Sequence, residues 1–575
     1  MNRNKAVRAA GKTIAQSPLE CAVLLVAIAG VVLASLIPPW ILGRAIDSNL
    51  ATRSAEGLPL LAAAYVAAIA LAGAFDLLKE AMLIVLGQRI TKGIRSSMMM
   101  KSERLPASYF TKHETGSTVS RFTNDVDAIG SMFTGGIVGM LVDCLKILGI
   151  VASMFAFGFR LGLVAVALLP PIALLTRFFQ SRMLAAQTDG RAQTAGLNAH
   201  ITESLRNSKT IKAFNRERYM ERRYQKKLDE NYRTIDRINF YDAIFPCIVQ
   251  VARALIVGAI VLLASGGVGI LGITAGTVAA AIELASGLFA PIENIGMEFQ
   301  GLQSAVAGAR RVGEFLEEAE DDPKDAALTA DRVLSGGAAT IEFRDLRFAY
   351  GDGSPVLDGI SLRVGAREKV SFTGRTGVGK TTLFRLVMGL LKPTSGSVTI
   401  NGYDAHDIPN AEKKRIFGYV DQGLSLIDGT IADQIGLKDP DIGPDKIRKA
   451  IEDVGLADFV DGLERGMDTP IGSGTALSQG QRQLLAIARG IVADPRILLL
   501  DEMTANLDSV TERRVVEALE RAGKSRTILA ISHRPSSMIE SDAVVILERG
   551  KVRDMGSPAV LAERDEWYRS FICAP

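Results

Sequence analysis

The chain has 575 residues, 48% of them hydrophobic and 22% charged, with a mean hydropathy of +0.20. At roughly 150 residues per domain this excludes a single small binding module, and the apolar excess excludes a disordered chain and points to lipid contact. Lys and Arg (66) barely outnumber Asp and Glu (63), so a net charge of +3 gives bulk electrostatics no hold on nucleic acid, and no such partner is expected.

The elements begin with a basic N-terminus (Arg3, Lys5, Arg8, Lys12) followed by an apolar run from Cys21 to Ile37. A signal peptide imitates such a run, but this one is long for a signal core and more hydrophobic segments follow, so it reads as an uncleaved first span. Six segments, near residues 20–43, 58–80, 132–158, 161–180, 243–268 and 274–297, suffice as helices to cross a hydrocarbon core of about 30 Å. Pro170 and Pro171 interrupt the fourth, a break that neighbouring helices can absorb. The connection from Gly87 to Ser131 holds seven Lys and Arg, and that from Arg177 to Asp242 holds fourteen. The alternate connections hold Arg44 and Arg53, then Arg160, then none between Ser265 and Ile273. Positive charge resists translocation, so the N-terminus and both long connections are expected in the cytoplasm. Both are polar and helix-permissive, and the spans are expected to continue through them as helices.

After Met297 acidic residues gather (Glu314, Glu317, Glu318, Glu320, Asp321, Asp322) ahead of Pro323, which reads as a linker. The expected division is a membrane domain over 1–315, a linker over 316–337 and a soluble α/β domain over 338–575. In the last, short β-rich runs (Val370 to Thr373, Ile497 to Leu500, Thr527 to Ile531, Ala543 to Leu547) alternate with helical stretches. Cys21, Cys144, Cys247 and Cys573 have no CxxC spacing and no neighbouring His, so neither a zinc site nor a disulfide framework is expected.

Gly374-Arg375-Thr376-Gly377-Val378-Gly379-Lys380-Thr381, followed by Thr382, matches GxxxxGK[ST] between a strand and a helix. In such a loop the glycines let backbone amides close on phosphates, Lys380 reaches the β and γ phosphates, and the Thr381 hydroxyl holds Mg²⁺. The loop identifies a nucleotide and not a task. Ile497 to Leu500 leads into Asp501 and Glu502, two adjacent carboxylates that a strand aims in opposite directions. Asp501 suits Mg²⁺ through water, and Glu502 suits the general base for an attacking water. Leu477-Ser478-Gln479-Gly480-Gln481 opens a helical run with a hydroxyl, close amides and a helix dipole, a second anion site.

Together these motifs resemble the ATP-binding cassette transporters, specifically exporter-type half-transporters that fuse a membrane domain to one nucleotide-binding domain. The resemblance covers nearly the whole chain and implies a six-helix all-α membrane domain followed by a P-loop ATPase with ATP and Mg²⁺ as cofactors. It implies that Tyr350 stacks on adenine, Gln422 touches Mg²⁺ and water, His533 contacts the γ phosphate, and Asp508 couples two nucleotide sites. It also implies that two nucleotide domains meet head to tail, so that Ser478 and Gly480 of one subunit cap the ATP held by Lys380 of the other. In the first cytoplasmic loop, Leu105-Pro106 through Phe110 and Ser120-Arg121 through Asp125 match the pattern, as do Ile211 to Phe214 in the second. Short coupling helices are expected at both tips. The signature reads LSQGQ where LSGGQ is commonest, and Ser473 stands where many exporters carry an acid.

Charges inside spans usually face a partner or a wet cavity. Asp143 and Lys146, three apart, suit a local pair. Arg253 and Glu283 have no local partner and are expected to line the translocation path or pair across it. The resulting expectation is ATP-driven export of a small molecule, lipid or peptide by a homodimer or heterodimer in a bacterial inner membrane. The rivals are an importer on the same scaffold and an ATP-binding regulatory subunit. Intact Glu502 and His533 oppose the second.

Overall fold

A computed structural model describes residues 5–50, 56–265, 274–335, 337, 339–351, 353–421, 423, 425–471, 477–501, 509–532 and 540–572. They form two compact units, Met1–Leu105 with His113–Ala319, and Pro106–Lys112 with Glu320–Pro575.

In the first unit, six helical segments among the described residues are long and apolar enough to cross a membrane: Pro18–Leu50, Leu58–Glu103, Thr115–Phe157, Phe159–Arg206, Glu217–Leu262 and Ala275–Ile295. Each carries one of the spans expected from hydropathy. The helices Leu58–Glu103, Phe159–Arg206 and Glu217–Ser265 have 46, 48 and 49 residues. At 1.5 Å per residue each is about 70 Å long, more than twice a hydrocarbon core, so these spans do run on well beyond it. Pro170, Pro171 and Pro246 all sit inside continuous helices. The two long connections each carry a short helix, Ser208–Ala213 in this unit and Ala107–Lys112, which belongs to the second.

Two contacts tie the sixth span to its neighbours. At one end Gly43 meets Gly276 so closely that a Cβ on Gly276 would strike the Gly43 carbonyl oxygen. Asp47, in a π-helical turn over Ile46–Leu50, accepts from the Gly276 amide at 2.7 Å and from the Thr274 hydroxyl at 2.5 Å. The carboxylate thereby satisfies one orphan amide of the helix Ala275–Gly287 and favours its dipole. At the other end Arg311 clamps Asp125, which is 6% exposed, through two bonds of 2.8 and 2.5 Å. Gly308 leaves room for this, since a Cβ there would lie 2.9 Å from the Asp125 carbonyl oxygen.

The second unit holds two sheets and a small ribbon. β1 (Ile341–Phe348), β2 (Leu357–Val364), β4 (Ser395–Ile400) and β5 (Tyr403–Asp404) form an antiparallel sheet in the order β2-β1-β4-β5. The six-stranded sheet runs β12-β11-β3-β10-β9-β6, from β3 (Lys369–Gly374), β6 (Phe417–Val420), β9 (Ile497–Asp501), β10 (Thr527–Ile531), β11 (Ala543–Glu548) and β12 (Lys551–Gly556). Only β12 is antiparallel to its neighbour, and the remaining pairs are parallel. Both faces of the parallel strands are covered, which is why Ile497–Asp501 reads as an unbroken apolar run and is buried throughout. β7 (Gly429–Thr430) and β8 (Pro470–Ile471) pair in the ribbon. One hydrophobic cluster, with Phe372, Phe384 and Leu499, joins the two sheets. A second, with Ile435, Ile451 and Ile487, builds a helical lobe around Gln479–Ile491 and packs it on the parallel sheet through Val420, Leu498, Leu500 and Ile528.

The acidic stretch expected to be a linker is strapped to this unit. Asp322 accepts from Lys392 at 2.6 Å, and the Asp325 amide donates to the Asp407 carbonyl at 3.0 Å. Beneath lies Lys413, 8% exposed, whose ammonium donates to the Gly389 carbonyl at 3.0 Å. Burial, with Lys324 adding repulsion, pushes its pKa down from 10.5 to about 8.

Two predictions follow from this packing. Gly276→Ala should force the first and sixth spans apart and destabilise the membrane unit by about 1–3 kcal/mol. Gly73→Ala, with nothing within 4 Å of its Cβ position, should not; thermal melts in detergent compare the two. For Lys413, the unfolded chain binds the proton more tightly than the folded one. Stability of the nucleotide unit should therefore rise as pH climbs from about 8 to 10.5. Melting followed by Trp567 emission should show that slope in the parent and lose it in Lys413→Met.

Candidate active site

β3 delivers the phosphate loop. It ends at Gly374, where a Cβ would collide with the Leu547 carbonyl of β11, and the loop closes at Gly379, whose φ of 103° suits only glycine. The helix Lys380–Val387 then begins with its amides open toward the loop. Lys380, 5% exposed, donates from Nζ to the Gly374 carbonyl at 2.8 Å and the Arg375 carbonyl at 3.2 Å. Its ammonium is thus held over the loop by the loop's own oxygens, positioned for phosphate. Arg375, Thr376 and Gly377 are exposed and Val378 is half-buried.

Tyr350 joins this group. Its hydroxyl lies 3.2 Å from the Thr382 hydroxyl and 3.5 Å from Arg385, and its ring meets Phe348 edge-on at 4.8 Å. An aromatic ring is thereby fixed beside the first turn of the phosphate-loop helix.

Asp501 ends β9, two strands from β3. Because β10 pairs Ile531 with both Phe372 and Asp501, Asp501 stands level with Phe372, about 9–10 Å across the sheet from β3. Both stand at the carboxyl ends of parallel strands, where α/β sheets bind ligands. Asp501 is 5% exposed, and the Tyr419 hydroxyl lies 3.4 Å from Oδ2 and 3.3 Å from Asp421. Burial and these two carboxylates push the Tyr419 pKa up, so the phenol stays a neutral donor. The Thr381 hydroxyl and Asp501 carboxylate are hard oxygen donors, the class that suits Mg²⁺.

Ser478 caps the helix Gln479–Ile491 in a reciprocal box. Its hydroxyl accepts from the Gln481 amide at 3.2 Å, while the Gln481 side chain accepts from the Ser478 amide at 2.9 Å. Gly480 is buried, and a Cβ there would strike Thr511 on the helix Ser509–Gly523. In this motif Gln481 and Gly480 thus hold the helix start together, whatever else they touch, and Gln479, just before them, is exposed. The signature belongs to the helical lobe and the phosphate loop to the sheet lobe, so one subunit presents the two anion sites on different lobes.

Gln422, Glu502, Asp508 and His533 lie outside the described residues, as does Ser473. In the membrane unit Arg253 is exposed on the helix Glu217–Ser265. Glu283 has a buried carboxylate oxygen without a hydrogen-bond partner among the described residues, and no described contact joins the two. Asp143 is buried, 5% exposed, and Asn294 of the sixth span, Lys146 and Lys79 all favour its charged form. Glu298 was not singled out from sequence because it falls just past the sixth apolar run. It packs where a Cβ on Gly139 would stand, beside Asp143.

Comparison with known proteins agrees with this architecture. Residues 21–292 match the family model described as the ABC transporter transmembrane region, and residues 357–505 match the one described as ABC transporter. A fatty acid ABC transporter ATP-binding/permease protein of Mycobacterium bovis is 30% identical over 509 residues, 87% of this chain and 79% of its own length. An ATP-dependent lipid A-core flippase of Syntrophus aciditrophicus is 28% identical over 547 residues, 94% of this chain and 90% of its own. The fold matches the structure of a bacterial Atm1-family ABC exporter with ATP bound, with a TM-score of 0.77 and 22% identity, over 96% of this chain and 98% of that one. A membrane region and an ATPase cassette fused in that order make the chain a member of the ABC transporter family, an exporter-type half-transporter that couples ATP hydrolysis to transport.

Proposed function

We propose that two copies of the chain form an exporter in which each ATP is sandwiched across a symmetric seam. Lys380 and the loop Gly374–Thr382 of one subunit hold the phosphates, and Ser478 and Gly480 of the partner subunit close over them. The observation that carries this reading is the placement of two anion sites on different lobes of one nucleotide unit. In this scheme Tyr350 receives adenine, and Thr381, Gln422 and Asp501 hold Mg²⁺. Mg²⁺, when bound, neutralises phosphate charge. Glu502 takes the proton of the attacking water, His533 steadies the γ phosphate, and Asp508 links the two seams. Moving a two-state machine from one pole to the other needs about 5.5 kcal/mol of differential affinity, which nucleotide at two seams supplies.

The working division is a membrane domain over 1–315, a linker over 316–337 and a cassette over 338–575. Helices Ala107–Lys112 and Ser208–Ala213 act as the coupling elements. Two relatives are named for a fatty acid and for lipid A-core, which favours a lipidic or amphiphilic cargo. Bacterial relatives favour the inner membrane. The lipid A-core flippase among the relatives favours export over the importer reading. Arg253 and Glu283 remain the proposed path residues.

Two measurements test the scheme. The chain expressed alone and reconstituted in lipid should hydrolyse Mg·ATP as a dimer, and Glu502→Gln should lower the rate by at least about 100-fold. An equal rate in that variant, or full turnover by monomers, would sink the reading. In a cysteine-free background, Thr376→Cys paired with Ser478→Cys should crosslink between subunits when ATP is present, and crosslinks confined to single chains would contradict the shared seam.

A further inference from the structure

A cavity of about 280 Å³ flanks the phosphate loop. One wall is the loop itself, from Gly374 to Val378, and the others come from the β11–β12 hairpin and from Trp567 near the C-terminus. Of the nucleotide-site residues only the loop Gly374 to Val378 lines it; Lys380, Thr381, Thr382 and Tyr350 do not. One chain supplies every wall, so the cavity exists in each subunit without help from a partner.

Its charge is lopsided. Arg375, Arg549 and Arg553 line it against a single carboxylate, Glu548. Arg553 is committed elsewhere, to Glu548 at 3.6 Å and Asp565 at 3.3 Å. Neither Arg375 nor Arg549 forms an ion pair among the described residues. Guanidinium groups gathered beside a loop already rich in phosphate-seeking amides suit a tetrahedral oxyanion, which they bind in a forked, charge-assisted manner.

Arg549 is also in an unusual place. Glu548 pairs with Lys551 across the hairpin, leaving Arg549-Gly550 as a two-residue loop with φ of 50° and 78°. Such a loop favours Asn-Gly, because an ordinary side chain is strained at the first position. An arginine in this turn accepts a backbone cost and places its guanidinium at the mouth of the cationic cavity.

We propose that this cavity is a phosphate site, receiving the phosphate cleaved from ATP as it leaves the loop. It holds the oxyanion between Arg375, Arg549 and the loop backbone, with Trp567, stacked on Phe571 at 5.4 Å, forming the apolar side. The same chemistry would take free phosphate from solution, and the two sources are separable.

The chain has two tryptophans, Trp40 and Trp567, so Trp40→Phe leaves one reporter in the cavity wall. With the full-length protein in lipid and the loop saturated with Mg·ADP, inorganic phosphate should change Trp567 emission saturably, while chloride at equal ionic strength should not. Arg549→Asn relieves the strained turn and should raise the melting temperature, yet weaken phosphate about tenfold. Arg549→Lys should fall between. An unchanged phosphate titration in Arg549→Asn overturns the site. Release of labelled phosphate in a single turnover should slow in Arg549→Asn, with the KM for ATP unaltered. Normal release alongside lost binding would assign the site to solution phosphate and overturn its role in product departure.

Discussion

The buried ammonium of Lys380, hydrogen-bonded to the carbonyls of Gly374 and Arg375, is the interaction on which the nucleotide unit is organised. A cation this far from water needs partners. The loop offers them only because three glycines, Gly374, Gly377 and Gly379, adopt positive φ. The loop in turn needs β3 on one side and the β11 backbone on the other, since Gly374 has no room for a side chain. Replace that contact and the loop loses its shape before any nucleotide arrives. From the same sheet follow the position of Asp501, two strands away, and the neutral Tyr419 that steadies it.

The helical lobe follows a second constraint. Its signature helix starts at a capping box made from the residues that name the motif, and Gly480 is needed for the approach of Thr511. A glycine read from sequence as space for phosphate thus also serves helix packing, and the two uses cannot be told apart from spacing alone.

Hydropathy and motif spacing revealed the architecture readily. Long apolar runs, charge asymmetry between loops and a strand-loop-helix P-loop are local signals, and each left its trace within a few dozen residues. Contacts made at a distance left none. Asp125 with Arg311 and Asp47 with Gly276 join residues more than a hundred positions apart. Likewise the acidic stretch after Glu314 looked like a bare linker, although Asp322 is tied down by Lys392, seventy residues on. Arg549 carried no signal, since its turn geometry appears only once the hairpin is formed.

The glycine crossing between Gly43 and Gly276, sealed by Asp47, has a consequence for how the membrane unit can deform. Two helices in backbone contact, with a carboxylate from one bonded to the amide of the other, cannot separate without leaving the Gly276 amide and the Asp47 carboxylate to find new partners. The first and sixth spans must therefore swing as a single leaf. Any doorway to the exterior has to open along a different seam, leaving this one as its hinge post.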